Sequence, residues 1–152
     1  AAAGFWLRRR IKKKRAEATG LKRAQPARPP ENLAREALER LTASRLLEEG
    51  HVKIFYISLS DIFRRYVEGR FGIPALDLTT TELLPELRGR AEIRPVFGET
   101  RLFLDGCDLV KFAKYLPDQP SVQEDVARVR HFVDSTSPRP STREAVAAGG
   151  QA

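Results

Sequence analysis

The chain has 152 residues, with 27 Lys and Arg against 20 Asp and Glu and a net charge of +7, which is enough sequence for one small domain with tails but not for two cores. Residues 1–30 hold ten basic residues and one acid and carry +9, whereas residues 31–152 hold seventeen basic residues and nineteen acids and carry −2. The single cysteine excludes an internal disulfide and a cysteine-rich zinc site.

The first residues have the pattern that is typical of the end of a membrane span. Residues 1–7 finish in Phe-Trp-Leu, and seven basic residues follow within eight positions. Tryptophan favours the membrane interface, and a basic cluster beside a span stays in the cytoplasm and attracts anionic lipid. The chain contains no Met, as expected of a fragment or a processed product. We therefore expect a truncated transmembrane helix at residues 1–7 and contact with the membrane surface by Trp6, Arg8, Arg9, Arg10, Lys12, Lys13, Lys14 and Arg15.

Two other interpretations of this segment stay open. The first is a solvated basic tail that touches nucleic acid or carries a targeting signal. The second is a cloning or gene-prediction artefact. The charge follows the apolar stretch, whereas a secretory signal peptide places its charge first, and this order favours the anchor. Residues 8–30 contain three prolines and many basic residues and are predicted to form a basic juxtamembrane linker.

Helix signals begin after the linker. Asn32 is predicted to cap the first helix and Gly50 to end it. The apolar stripe of this helix is narrow and consists of Leu33, Ala37, Leu38 and Leu41.

The second helix, about Val52 to Arg70, has the strongest 3.6-residue periodicity in the chain. Gly72 suits the left-handed residue that ends a helix. One face carries Phe55, Leu59, Ile62, Phe63 and Tyr66, widened by Ile54, Ile57 and Val67.

The middle of the chain is less regular. The segment Thr79–Glu82 is a capping box that starts a short helix. Residues 89–98 are predicted to be a loop with a short extended piece at residues 93–97, and Thr100 is predicted to cap a fourth helix. The pattern of residues 108–115 is ambiguous between helix and strand.

A second capping box, residues 121–124, predicts the start of the last helix, whose stripe is Val122, Val126, Val129 and Val133. Residues 137–152 are rich in Ser, Pro, Ala and Gly and are predicted to be disordered. We therefore predict an all-α domain at residues 31–136, a compact bundle of about five helices. A winged-helix-like arrangement is the alternative if residues 108–115 form a strand.

The chemistry-bearing residues form no catalytic pattern. Cys107 is predicted to be a small core residue rather than a nucleophile, because no His stands at a suggestive position. No Gly-rich phosphate loop occurs. We expect no enzymatic activity, no metal, no cofactor and no small-molecule substrate. The basic residues Arg64, Arg65, Lys111 and Lys114 are a candidate face for a partner or, more simply, the polar side of two helices.

Three segments resemble a known group of proteins. They are residues 53–75 (KIFYISLSDIFRRYVEGRFGIPA), 79–84 (TTTELL) and 107–113 (CDLVKFA). They look like the cytoplasmic helical region of bacterial single-pass membrane proteins that are encoded beside MoxR-type AAA ATPases and von Willebrand factor A domain proteins, in operons related to the Bat aerotolerance genes. The group has no established catalytic residues.

The resemblance implies an adaptor that is tethered to the inner membrane, with its domain on the cytoplasmic side. Its partner would be a MoxR-type ATPase or a von Willebrand A protein, in a chaperone-like or envelope-stress system. The alternative is a winged-helix-like nucleic-acid-binding domain. The charge of −2 on residues 31–152 disfavours this alternative, since DNA-binding domains concentrate positive charge.

Overall fold

The computed structural model describes residues 28–139, and within that range every regular element is helical. The all-α prediction is therefore confirmed. The predicted membrane segment (1–7), nearly all of the predicted linker (8–27) and most of the predicted disordered tail (140–152) lie outside the described residues. The helices are α1 (Pro30–Ala43), α2 (Val52–Phe71), α3 (Thr80–Arg88), α4 (Phe97–Phe112) and α5 (Gln119–Thr136), with 3₁₀ turns at Ala75–Asp77 and Arg94–Val96.

Helix α1 begins earlier than the sequence indicates. Pro30 occupies its first position, where the missing N–H costs nothing, and the carbonyl of Pro29 accepts from the N–H of Asn32 at 3.0 Å. The prediction that Asn32 caps this helix is wrong. The buried stripe is Ala34, Leu38 and Leu41, whereas Leu33 is exposed and Ala37 half-buried, because the face that packs on α2 and α5 includes Ala34 and not Leu33. The helix ends at Ala43, and Gly50, with a φ of 79°, closes the turn that follows.

Helix α2 is the central element and packs on α1, α4 and α5. The ring of Phe63 lies 5.4 Å from that of Phe103 on α4 and 4.7 Å from that of Phe132 on α5. The predicted face is confirmed at Phe55, Leu59, Phe63, Tyr66 and Val67, which are buried, whereas Ile62 is half-buried and Ile54 and Ile57 are exposed. Gly72 ends the helix in the left-handed region, with a φ of 69°, as predicted.

The capping box of α3 is confirmed. The Thr79 hydroxyl accepts from the N–H of Glu82 at 3.2 Å and donates to the Glu82 carboxylate at 3.0 Å. Pro85 lies inside this nine-residue helix.

The predicted extended piece at residues 93–97 does not form. Pro95 instead sits in the 3₁₀ turn that leads directly into α4, because a proline at the start of a helical segment needs no N–H. Helix α4 therefore begins at Phe97 rather than at Thr100, whose hydroxyl donates to the carbonyl of Val96 at 2.8 Å. The helix continues to Phe112. Within residues 28–139 no strand follows it, so the winged-helix-like alternative lacks its wing.

Helix α5 begins two residues before the predicted box. Asp118 is the cap, and its carboxylate accepts from the N–H of Ser121 at 2.9 Å. Hydrogen bonds from Ser121 hold the pKa of Asp118 below its usual value. The predicted stripe of valines is confirmed, since Val122, Val126, Val129 and Val133 are all buried.

The bundle has two distinct ends. At the first, which we call the linker end, Pro30 packs against Gly69, and the Arg70 Nε donates to the carbonyl of Thr136 at 2.9 Å. At the other, the far end, α4 finishes at Phe112 and α5 starts at Gln119. Helix α5 has 18 residues and rises ~1.5 Å per residue, which separates the two ends by about 25 Å.

Candidate functional site

The four basic residues that were predicted to form a partner face are not all on the surface. Arg65 is exposed on α2, and Lys111 and Lys114 lie at the end of α4, half-buried and exposed respectively. Arg64 is only 7% exposed, so its predicted place on a partner face is wrong. The predicted membrane-contact residues, Trp6 and the basic residues of 8–15, lie outside the described residues.

Arg64 instead holds the segment between α2 and α3. One terminal nitrogen of its guanidinium donates to the carbonyls of Ala75 (2.6 Å) and Leu78, and the other donates to the hydroxyl of Thr80 at 3.3 Å. Its Nε donates to Ser60 at 3.3 Å. The planar guanidinium supplies several donors at fixed angles, and here each of its three nitrogens donates to an oxygen of this protein. Arg64 is therefore a structural residue.

The most distinctive surface is an apolar turn at the far end of the bundle. We define it as residues 109–116, whose exposed apolar side chains are Leu109, Phe112, Tyr115 and Leu116. Phe112 is 77% exposed and Leu116 is 73% exposed. Single exposed apolar residues are ordinary, whereas four within eight residues, two of them aromatic, make this turn a candidate interaction surface.

Lysine side chains are interleaved with these apolar residues. The Nζ of Lys111 lies 5.2 Å from the centre of the Phe112 ring, within the range of a cation–π contact. Lys114 stands between Phe112 and Tyr115 in the chain, and no acidic residue occurs from 109 to 117. Asp108 and Asp118 lie just outside this range, so the two lysines are the charged side chains within the apolar turn itself.

The backbone of the apolar turn is strained at one residue. Lys114 has a φ of 55°, which makes it the one non-glycine residue with a positive φ among residues 28–139. The carbonyl of Leu109 accepts from the N–H groups of Ala113 and Tyr115, at 3.0 and 3.2 Å, and this closes the turn. The left-handed conformation costs a residue with a Cβ about 1 kcal/mol, and such strain concentrates at functional positions.

A buried polar network lies between the start of α2 and the start of α5. The hydroxyl of Tyr56 donates to Asp125 at 2.6 Å, and Arg128 donates to the other oxygen of Asp125 at 2.9 Å. Burial, followed by the hydrogen bond to Asp125, raises the pKa of Tyr56. Burial also raises the pKa of the Cys107 thiol, which is 1% exposed. A thiol of this kind stays protonated and unreactive.

The described residues contain no arrangement that calls for a bound group. No cluster of three or more His, Cys, Asp or Glu side chains could hold a metal in residues 28–139. Every buried side-chain polar atom in that range has a hydrogen-bond partner. A cavity of about 200 Å³ lies between α1 and α5, but the ion pair of Arg35 and Asp134, 2.9 Å apart, forms part of its wall.

The sequence analysis does not predict the apolar turn as a functional surface. Phe112 and Tyr115 follow Val110 in a segment that is ambiguous between helix and strand, and Leu116 comes directly after it. The available signal was the density of large apolar residues after the last buried position of α4. Lys111 and Lys114 were predicted as part of a partner face, and the structure gives them apolar neighbours.

Comparison with protein-family models, curated proteins and solved structures found no match to this chain. None of the helices in the part of the chain that the structure describes is long and apolar enough to cross a membrane.

Proposed function

We propose that this chain is a non-enzymatic interaction module that is tethered to the inner membrane and docks a protein partner on the cytoplasmic side. The single observation that supports this proposal best is the apolar turn, an exposed apolar and aromatic surface at the end of the bundle away from the linker. The partner that the resemblance suggests is a MoxR-type ATPase or a von Willebrand A protein.

The position of the apolar turn fits a tethered module. The chain leads from the basic leader into α1 at Pro30, which lies at the linker end. The apolar turn lies about 25 Å away, at the other end of α5. A membrane attached through the leader would therefore leave the apolar turn free to meet a partner in the cytoplasm.

Two buried groups that act as catalysts in other proteins are not available for catalysis here. The one thiol in the chain is buried and its pKa is raised, and the buried acid Asp125 is engaged by Tyr56 and Arg128. Neither group is free to act as a nucleophile or a general base.

Site-specific photocrosslinking in bacterial cells tests the proposal. A photoreactive amino acid is placed at position 112 or 116, and the matched control carries it at position 131, since His131 is exposed on α5 toward the linker end. We expect the chain to fractionate with membranes and positions 112 and 116 to crosslink to one protein that position 131 does not reach. Equal crosslinking from all three positions, or recovery of the chain away from membranes, would contradict the proposal.

A further inference from the structure

We propose that the apolar turn recognises an acidic amphipathic peptide segment of its partner, with apolar side chains that cover Phe112 and Leu116 and carboxylates that pair with Lys111 and Lys114. This inference deepens the proposed function and rests on it.

The size of the apolar turn favours a peptide segment over a second copy of this chain. Its four apolar side chains are between half and three-quarters exposed and offer on the order of 400 Å² of apolar area. A stable protein interface buries about 800 Å² on each partner. One helical or extended segment covers the smaller area, as in other complexes where a few apolar side chains anchor a peptide.

The two lysines of the apolar turn favour a negatively charged partner segment. Lys111 and Lys114 are the charged residues between 109 and 117, so a symmetric pairing of two such turns would bring lysines against lysines. A segment with Asp or Glu on each side of its apolar residues instead places opposite charges together. Electrostatic complementarity of this kind determines partner choice and association rate more than total affinity.

The strained residue also belongs to this surface. The left-handed Lys114 divides the helical residue Phe112 from Tyr115 and Leu116, which follow the helix. The chain thereby presents apolar side chains from both sides of one turn, and both hydrogen bonds that close the turn end on the Leu109 carbonyl. A surface that is fixed before binding loses less entropy when a peptide binds.

The test uses the full chain and two fluorescent 18-residue helical peptides of identical apolar stripe, one flanked by Glu and the other by Lys. We expect the Glu peptide to bind with a Kd on the order of 10–100 μM, measured by fluorescence anisotropy, and the Lys peptide to bind at least tenfold more weakly. Phe112→Ser should lower the affinity for the Glu peptide at least tenfold. Leu33→Ser, at a 47% exposed residue of α1, is the matched control and should leave binding unchanged.

A charge reversal makes the test sharper. The double variant Lys111→Glu/Lys114→Glu should exchange the preference, so that the Lys peptide binds more tightly than the Glu peptide. The variant keeps a Cβ at position 114 and therefore keeps the backbone strain of that residue. The basic leader is present in every variant, so peptide held by the leader would bind all of them equally.

Three results would overturn the inference. They are equal affinity of the wild-type chain for both peptides, Glu-peptide binding that Phe112→Ser leaves unchanged, and a failure of the charge reversal to exchange the preference. A further arm uses vesicles with 30% phosphatidylserine. If Phe112→Ser lowers vesicle binding and not peptide binding, a bilayer occupies the apolar turn. Partner crosslinking from position 116 without the peptide preference would refute this inference alone and leave the proposed function standing.

Discussion

Replacing Arg64 by methionine should be one of the most damaging single changes in this domain that leaves its core volume nearly intact. The methionine side chain follows the aliphatic part of arginine but has no donors. The carbonyls of Ala75 and Leu78 and the hydroxyl of Thr80 would each lose a hydrogen bond from the guanidinium. Arg65 is exposed on the same helix, and Arg65→Met is therefore the matched control.

The size of the effect follows from these partners. A buried polar group that loses its partner costs about 1–3 kcal/mol, and hydrogen bonds from charged donors lie at the upper end of the range. Leu78 is half-buried, so water can reach its carbonyl and reduce that loss. Removal of a buried guanidinium also returns part of its desolvation cost. We expect Arg64→Met to lower the free energy of unfolding by about 3 kcal/mol, and Arg65→Met to change it by less than about 0.5 kcal/mol.

Urea denaturation followed by circular dichroism at 222 nm measures this difference. With an m-value near 1.5–2 kcal/mol/M, the midpoint should fall by roughly 1.5–2 M for Arg64→Met. Hydrogen exchange should show that residues 75–80 lose protection first, because Arg64 holds that segment. If the midpoints of the two variants agree within about 0.3 M, Arg64 does not stabilise the connection between α2 and α3 as described.

Three further predictions concern the apolar turn and the buried polar groups. Lys114→Gly should raise the free energy of unfolding by about 1 kcal/mol because it relieves the positive φ. The control Lys111→Gly lies inside α4 and should lower the free energy of unfolding by about 0.5–1 kcal/mol. Equal thermal unfolding midpoints of the two variants would contradict this prediction. The raised pKa of Tyr56 means that the folded state holds the phenolic proton more tightly than the unfolded state does. The contribution of Tyr56 to the free energy of unfolding is therefore complete below pH ~10, and it is lost as the pH rises toward the folded-state pKa. Alkaline titration should therefore destabilise the wild type more steeply than Tyr56→Phe, and parallel curves would refute the account. Cys107 should react with Ellman's reagent at pH 8 at least a thousandfold more slowly than in concentrated urea, since the thiol is buried; comparable rates would show that it is accessible.

Periodicity predicted the parts of the fold where one face dominates. The stripe of α5 and most of the buried face of α2 were assigned correctly, because a run of β-branched or aromatic residues at 3.6-residue spacing has only one face to bury. In α1 the apolar stripe is narrow, and Leu33 and Ala34 are adjacent at its start, so either residue is compatible with the buried face. The helix also starts at Pro30, three residues before the start that a cap at Asn32 predicts, and its buried set contains Ala34 instead of Leu33. The predicted cap of α5 is wrong because Asp118 and Ser121 are both acceptable caps and tertiary packing selects between them, whereas the predicted cap of α3 is confirmed.

The candidate site depends on which residues remain uncovered, and a sequence does not contain that information directly. Arg64 and Arg65 are adjacent and chemically identical, yet one is enclosed by carbonyl oxygens and the other is exposed. Similarly, Phe103 and Phe112 lie on the same helix at 1% and 77% exposure. The difference arises because α2 covers Phe103, whose ring lies 5.4 Å from that of Phe63, and no described element covers Phe112.

The central claim places a membrane tether at one end of the domain and a protein-docking surface at the other, and one vesicle experiment tests both. A bimane label on Leu116→Cys reports the apolar turn, because Cys107 is buried and stays unlabelled, and Trp6 is the single tryptophan of the chain. With vesicles that contain anionic and brominated lipids, we predict that Trp6 fluorescence is quenched and that the bimane label at position 116 is not. Quenching of the label, or no quenching of Trp6, would contradict the account.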